Sequence, residues 1–112
     1  MKNEIKTLYN PIPLEMFENY LNNLVNRVFK ILPLKEEKSL TVDIYIMNLL
    51  SELTGNYQLI TQIHNDGLYE TLLANLQSLV GLQKDYRSIV LNTISIIEQL
   101  KTKYCTRSEP NG

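Results

Sequence analysis

Apolar residues recur at alternating steps of three and four along nearly the whole chain, and this spacing constrains the fold more than any other feature. A helix turns by about 100° per residue, so side chains three and four positions apart share one face. No segment shows the sustained alternation of apolar and polar residues that a half-buried strand has. The sequence therefore predicts an all-α protein without a sheet.

The breaks between the apolar stripes predict where the helices begin and end. The first helix is expected over about residues 13–32, stopped by Pro33, and the second from Ser39 or Thr41 to Gly55. Then come a short helix over about 57–65, a third long helix from Leu68 to about 80–82, and a last one from Lys84 or Asp85 to Tyr104. The pattern leaves open whether residues 41–65 form one bent helix or two.

Four principal helices with short connections pack most simply as an antiparallel four-helix up-and-down bundle, with the short fifth helix over one end. A chain of 112 residues suffices for one domain of this kind. We therefore divide it into an N-terminal arm (1–12), a helical bundle domain (13–105) and a flexible C-terminal tail (106–112).

The charges are distributed unevenly, although the formal net charge is only −1. Residues 39–83 contain no lysine or arginine, and the remaining basic groups are interspersed with acids. These include Arg27, Lys30, Lys35, Lys38, Lys84 and Arg87. Nucleic-acid recognition needs positive side chains aimed at phosphates, and the third long helix has none. This layout disfavours a nucleic-acid partner.

The sequence also argues against a membrane location and against an oxidising compartment. No apolar run approaches the roughly 20 residues that cross a bilayer. Cys105 is the only cysteine, so an intrachain disulfide is excluded. A cytoplasmic protein is the simplest interpretation.

The groups that could carry chemistry are few and scattered. His64 is the single histidine, and its neighbour Asp66 resembles a fragment of a catalytic relay, but both fall at a turn where such residues are common. Cys105 has no second thiol beside it and is expected to be incidental and exposed. We therefore expect no enzyme activity, cofactor, metal site or small-molecule substrate. A ligand cavity inside the bundle stays open, because apolar stripes do not reveal a void.

The second helix has more apolar residues than one core-facing stripe needs. Leu40, Ile44 and Met47 lie opposite the stripe formed by Val42, Ile46, Leu49 and Leu53. The segment 57–65, or an N-terminal arm containing Ile5, Leu8 and Tyr9, could cover them. Otherwise they form an interaction surface for a second copy or for a different protein.

A ribbon of asparagines on the first helix is the other candidate surface. Asn19, Asn23 and Asn26 recur at steps of four and three. Neutral amides lose less than charges when they are desolvated, so they could lie in an interface. The alternative is a set of solvent-facing residues favoured by codon usage.

These observations favour a small non-catalytic helical module for protein–protein interaction. It would act as an accessory or regulatory subunit, or as a self-assembling dimer, through an exposed apolar helix face. An inhibitor or immunity-type protein that blocks a toxin or enzyme, and a nucleic-acid-associated accessory protein, are the alternatives. The candidate interaction residues are Leu40, Ile44, Met47, Asn19, Asn23 and Asn26.

Overall fold

The computed structural model describes residues 3–105, and this part of the chain is mostly helical, as predicted. Two short strands come first, β1 (Glu4–Ile5) and β2 (Ile12–Pro13). The helices are α1 (Leu14–Phe29), α2 (Ile31–Glu36), α3 (Val42–Leu59), α4 (Gly67–Leu79) and α5 (Tyr86–Cys105), with a 3-10 turn at Thr61–Ile63 between α3 and α4. The predicted tail 106–112 lies outside the described residues.

The N-terminal arm folds back onto the helices. Its two strands pair antiparallel, with Ile5 opposite Ile12, so the expectation of no sheet is wrong for these four residues. Ile5 is fully buried, and the Leu8 N–H donates to the Leu59 carbonyl at 2.9 Å. The arm therefore belongs to the packed structure and lies against the C-terminal end of α3.

The first long helix ends earlier than predicted. α1 stops at Phe29, and α2 begins at Ile31 and includes Pro33. Proline has no N–H, and its ring clashes with the carbonyl four residues back, which here belongs to Phe29. The break thus falls one turn before Pro33, and the proline sits in the first turn of α2, where a helix tolerates it.

The second long helix continues past the glycine that was predicted to end it. α3 runs through Gly55 to Leu59, and only the three-residue 3-10 turn follows, so the predicted helix over 57–65 is not formed. Glycine in a helix costs about 1 kcal/mol. Tertiary contacts of the last turn offset this, because the Tyr57 ring stacks on Tyr69 with their centroids 5.4 Å apart.

The core lies where the predicted apolar stripes meet. α5 packs against both α1 and α4, and α4 also packs against α3. The residues with no exposed surface come from all five helices, the 3-10 turn and the arm: Ile5, Leu21, Leu24, Val28, Ile31, Ile46, Leu53, Ile63, Leu72, Leu76, Leu79, Val90, Thr93, Ile97 and Leu100. Side chains that the sequence assigned to one shared core thus pack together.

The uneven charge distribution becomes a set of ion pairs between distant segments. Three of the four acids in 39–83 pair with bases that lie outside that segment. The pairs are Asp43 with Lys35 (3.9 Å), Glu52 with Arg27 (2.9 Å) and Asp66 with Lys103 (2.7 Å). The fourth acid, Glu70, accepts a hydrogen bond from the Tyr57 hydroxyl at 2.7 Å. The charge layout therefore ties α3 and α4 to the rest of the fold.

Asp66 joins the start of α4 to the end of α5. Its nearly buried carboxylate caps α4 by accepting from the Tyr69 N–H at 3.1 Å, and it also accepts from Lys103 and from the Tyr104 hydroxyl. Hydrogen bonds to the charged form of the carboxylate lower its pKa, although burial opposes them.

We expect Asp66→Ala to lower the free energy of unfolding by about 2–3 kcal/mol, since it removes a helix cap and two charge-assisted hydrogen bonds. Urea titration followed by circular dichroism measures this. Asp85→Asn is the control, because Asp85 is exposed and has a positive φ of 62° that asparagine tolerates. The control should change stability by less than about 0.5 kcal/mol, and an equal loss in both variants would contradict the assignment.

Candidate interaction surface

The second apolar stripe of α3 is exposed. Leu40 in the turn before α3 is 97% exposed, and Ile44 and Met47 on α3 are 59% and 54% exposed. Neither the arm nor the 3-10 turn covers them, since the arm bonds to Leu59 at the far end of α3 and to Gln62 in the 3-10 turn. The described residues therefore leave Leu40, Ile44 and Met47 uncovered, although the sequence allowed the arm or the segment 57–65 to cover them.

The exposed side of α3 carries a run of uncharged residues over four turns, with the partly exposed acids Asp43 and Glu52 at its edges. Exposed residues on this side follow one another along the helix at alternating steps of three and four, and two further exposed residues lie beside them. We call them the α3 face: Ile44, Met47, Asn48, Ser51, Thr54, Gly55 and Gln58. Large apolar side chains occupy its N-terminal half, whereas its C-terminal half consists of small or neutral residues.

A groove runs beside the α3 face, between α3 and α4, with a volume of about 530 Å³. The residues that line it are Met47, Leu50, Ser51, Thr54, Gly55, Gln58, Gln77 and Val80. None of them is charged. We call it the α3–α4 groove. It offers apolar contacts and neutral hydrogen-bonding groups.

A second cleft, of about 520 Å³, lies at the N-terminal end of α3 and includes Leu40, Asp43 and Tyr86. The buried amine of Lys35 donates to the carbonyls of Leu79 and Leu82, both at 2.6 Å. Burial lowers the pKa of Lys35. These bonds satisfy carbonyls at the end of α4, so this cation holds α2 in place.

The burial of the Lys35 side chain was not predicted from the sequence. Its partners Leu79 and Leu82 are 44 and 47 residues away in sequence, and no local pattern indicates them.

The asparagine ribbon is exposed but does not join the α3 face. Asn19, Asn23 and Asn26 all face solvent on α1. The side of α3 that meets α1 carries Tyr45 and Glu52. At 100° per residue, Met47 points about 160° away from Tyr45 and about 140° away from Glu52. The two predicted patches are thus separated by the body of α3.

A polar cluster that sequence reasoning missed links α1 to α3. Arg27 donates to both oxygens of Glu52 at 2.9 and 3.0 Å, and the Tyr20 hydroxyl donates to the same carboxylate. Asn56 donates to the Tyr20 oxygen at 2.9 Å. The bonds from Arg27 and then Tyr20 lower the pKa of Glu52 to about 2, while burial, followed by the bond to Glu52, raises the pKa of Tyr20.

The candidate catalytic groups of the sequence make contacts within the fold. The Asp66 carboxylate caps α4. The Nε2 atom of the exposed His64 lies 3.1 Å from the Gln58 carbonyl oxygen. Cys105 is the last residue of α5 and is buried, contrary to the expectation of an exposed thiol. Within residues 3–105 no three His, Cys, Asp or Glu side chains gather where a metal ion could be held.

No helix of that part combines the length and apolarity that crossing a bilayer requires.

No family model, curated protein or solved structure matches this chain. The candidate surface therefore stands on its geometry.

Ile44→Asp and Met47→Asp should each change the free energy of unfolding by less than about 1 kcal/mol, since both side chains are more than half exposed. The buried neighbour Ile46→Asp should cost more than about 4 kcal/mol, because it places a carboxylate in the core. Thermal melts followed by circular dichroism compare the three. Unfolding of the Ile44 or Met47 variant would show that these side chains are part of the core.

The low pKa of Glu52 predicts a loss of stability in acid. Because the folded-state pKa is about 2 and the ordinary value is 4.5, Glu52 stabilises the fold fully above pH 4.5 and progressively less between pH 4.5 and 2. The carboxylate is partly exposed, so solvent screening limits the effect to about 1 kcal/mol. Glu52→Gln should reduce the pH dependence in this range, measured by urea unfolding at pH 2 to 6.

Glu15→Gln, an exposed glutamate in the first turn of α1, is the control for that series. It should leave the acid dependence of the parent chain unchanged. An identical pH profile for the parent and for Glu52→Gln would show that the Arg27–Tyr20–Glu52 cluster contributes nothing.

Proposed function

We propose that this chain is a non-catalytic protein-interaction module that acts through Leu40, Ile44 and Met47, as an accessory or regulatory subunit or as a self-assembling dimer. The exposure of these three side chains carries the proposal. α3 already buries Val42, Ile46, Leu49 and Leu53 in the core, so a second set of large apolar residues on the same helix adds nothing to the described fold. Exposed apolar side chains grouped at one end of a helix favour a protein-binding role.

We infer that the four long helices alternate in direction as an up-and-down bundle. Three contacts support this, because each joins the start of one helix to the end of another. The ring of Phe17, at the start of α1, meets the Tyr104 ring, at the end of α5, edge-on with their centroids 6.4 Å apart. Asp66, just before α4, accepts a hydrogen bond from Lys103 near the end of α5. The Gly81 N–H, just after α4, donates to Asp43 near the start of α3. In this arrangement α3 occupies a corner, and a corner helix presents one side to a partner.

The α3 face favours a protein partner over nucleic acid. Neither the face nor the α3–α4 groove contains a lysine or arginine that could contact a phosphate. The groove also lacks the titratable groups that acid–base catalysis needs. A cytoplasmic location is part of the proposal, and the single cysteine in the sequence agrees with a reducing compartment.

Site-specific photo-crosslinking tests this function with a matched control. A photoreactive phenylalanine analogue is placed at Met47, or at Phe29 on α1, which is equally exposed (52%). The full chain is expressed in cells of its source and irradiated. Discrete adducts should form from position 47 and not from position 29, because only the first lies on the α3 face. Equal adduct patterns, or no adducts at position 47, would refute the proposal.

A further inference from the structure

We propose that the cleft at the N-terminal end of α3 binds a small carboxylic acid with a planar apolar body. The cleft, of about 520 Å³, lies between residues 35–43, around the α2–α3 turn, and residues 81–86, around the α4–α5 turn. We call it the inter-turn cleft. Cavities of roughly 300–1,000 Å³ hold small molecules in proteins. The inference goes beyond the proposed function and does not depend on it.

Polar contacts between the two walls of the inter-turn cleft fix their distance. The buried amine of Lys35 on the first wall donates to the Leu82 carbonyl on the second at 2.6 Å. In the other direction, the Gly81 N–H donates to the Asp43 carboxylate at 3.0 Å. The cleft is therefore formed before a ligand arrives, so binding does not have to order either turn.

The charges that line the inter-turn cleft favour an anion. Both of its carboxylates already have cations, because Glu36 pairs with Arg87 at 2.8 Å and Asp43 lies 3.9 Å from the Lys35 amine. Lys38 is exposed, and among the described residues it has neither a salt bridge nor a side-chain hydrogen bond. A ligand carboxylate would therefore complement the Lys38 ammonium group.

The backbone of Lys38 supports a role for its side chain. Lys38 follows the end of α2 with a φ of 55°, and its N–H donates to the Lys35 carbonyl at 3.0 Å. Glycine adopts this left-handed conformation most easily and is the usual residue after a helix end of this kind. A lysine here is strained, and the strain is explained if its ammonium group has a ligand to hold.

Apolar surface and further polar groups complete the site. The partly buried Leu82 and Tyr86 lie on one wall, and the exposed Leu40 lies on the other. A planar ring can pack against the Tyr86 ring. Within residues 3–105, the Tyr86 hydroxyl and the Gln83 side chain form no hydrogen bond, so both are available to polar atoms of a ligand.

NMR titration of the full ¹⁵N-labelled chain with 2-naphthoate, in about 0.15 M salt, tests the proposal. Saturable shift changes should appear at the amides of residues 35–43 and 81–86, with a Kd of about 1 mM or tighter. 2-Naphthalenemethanol has the same ring system without a charge and should bind about fivefold or more weakly. The cation 2-naphthylmethylamine should bind more weakly than the alcohol.

An equal affinity for the three probes would overturn the proposal, because the charge of the ligand would then not matter. Shift changes confined to the α3–α4 groove, or no shift changes with 2-naphthoate, would overturn it as well.

Lys38→Gly tests the residue that carries the argument. The variant loses the ammonium group and relieves the backbone, so the affinity for 2-naphthoate should fall about fivefold or more while the Tm does not fall. Lys84→Gln is the matched control, since Lys84 is exposed beside the cleft but outside its lining. It removes the same charge and should change the affinity by less than about twofold.

The two variants separate a specific contact from general attraction. An equal loss of affinity in Lys38→Gly and Lys84→Gln would show that no ammonium group of the cleft is selected, which overturns the site. A lower Tm for Lys38→Gly together with unchanged affinity would show that Lys38 serves the fold and not a ligand.

Discussion

Apolar packing of α5 against both α1 and α4 is the interaction on which the rest of the structure depends. Val90, Ile97 and Leu100 of α5 are fully buried, and so is Thr93, whose hydroxyl donates to the Ile89 carbonyl and leaves no unpaired donor in the core. Hydrophobic burial on this scale supplies most of the free energy of folding. Because α5 occupies the position between α1 and α4, α3 is left at their margin, with one side in the core and one side open.

Hydrophobic packing has no direction, and the polar contacts between helices provide it. The Arg27–Glu52 pair joins α1 to α3, and Asp66 joins the start of α4 to the end of α5. Lys35 adds a third connection, from α2 to the carbonyls at the end of α4. Each contact fixes which parts of the two segments lie side by side, and three acids of residues 39–83 find their bases outside that segment.

The same allocation explains why the α3 face is the place to look for function. The charged side chains of Arg27, Lys35, Glu52 and Asp66 hold helices together, and the buried Cys105 is taken up by the fold. What is left over is a largely uncharged surface on α3, with the exposed Ile44 and Met47 in its N-terminal half. A surface of this kind gains by being covered, and it can discriminate between partners by shape. The molecule therefore acts by association, in our proposal, and uses no chemistry.

The sequence by itself determined the helices, their apolar stripes and the surplus of apolar residues at Ile44 and Met47, because helical periodicity is a local property. It misplaced the end at Pro33, whose ring breaks the helix one turn earlier, and the end at Gly55, where the Tyr57–Tyr69 stack outweighs the local signal. Only the tertiary structure decided that Lys35 and Cys105 are buried, that the arm packs away from the second stripe, and that the asparagine ribbon stands apart. These outcomes depend on contacts between residues far apart in the chain, and no local pattern records such contacts.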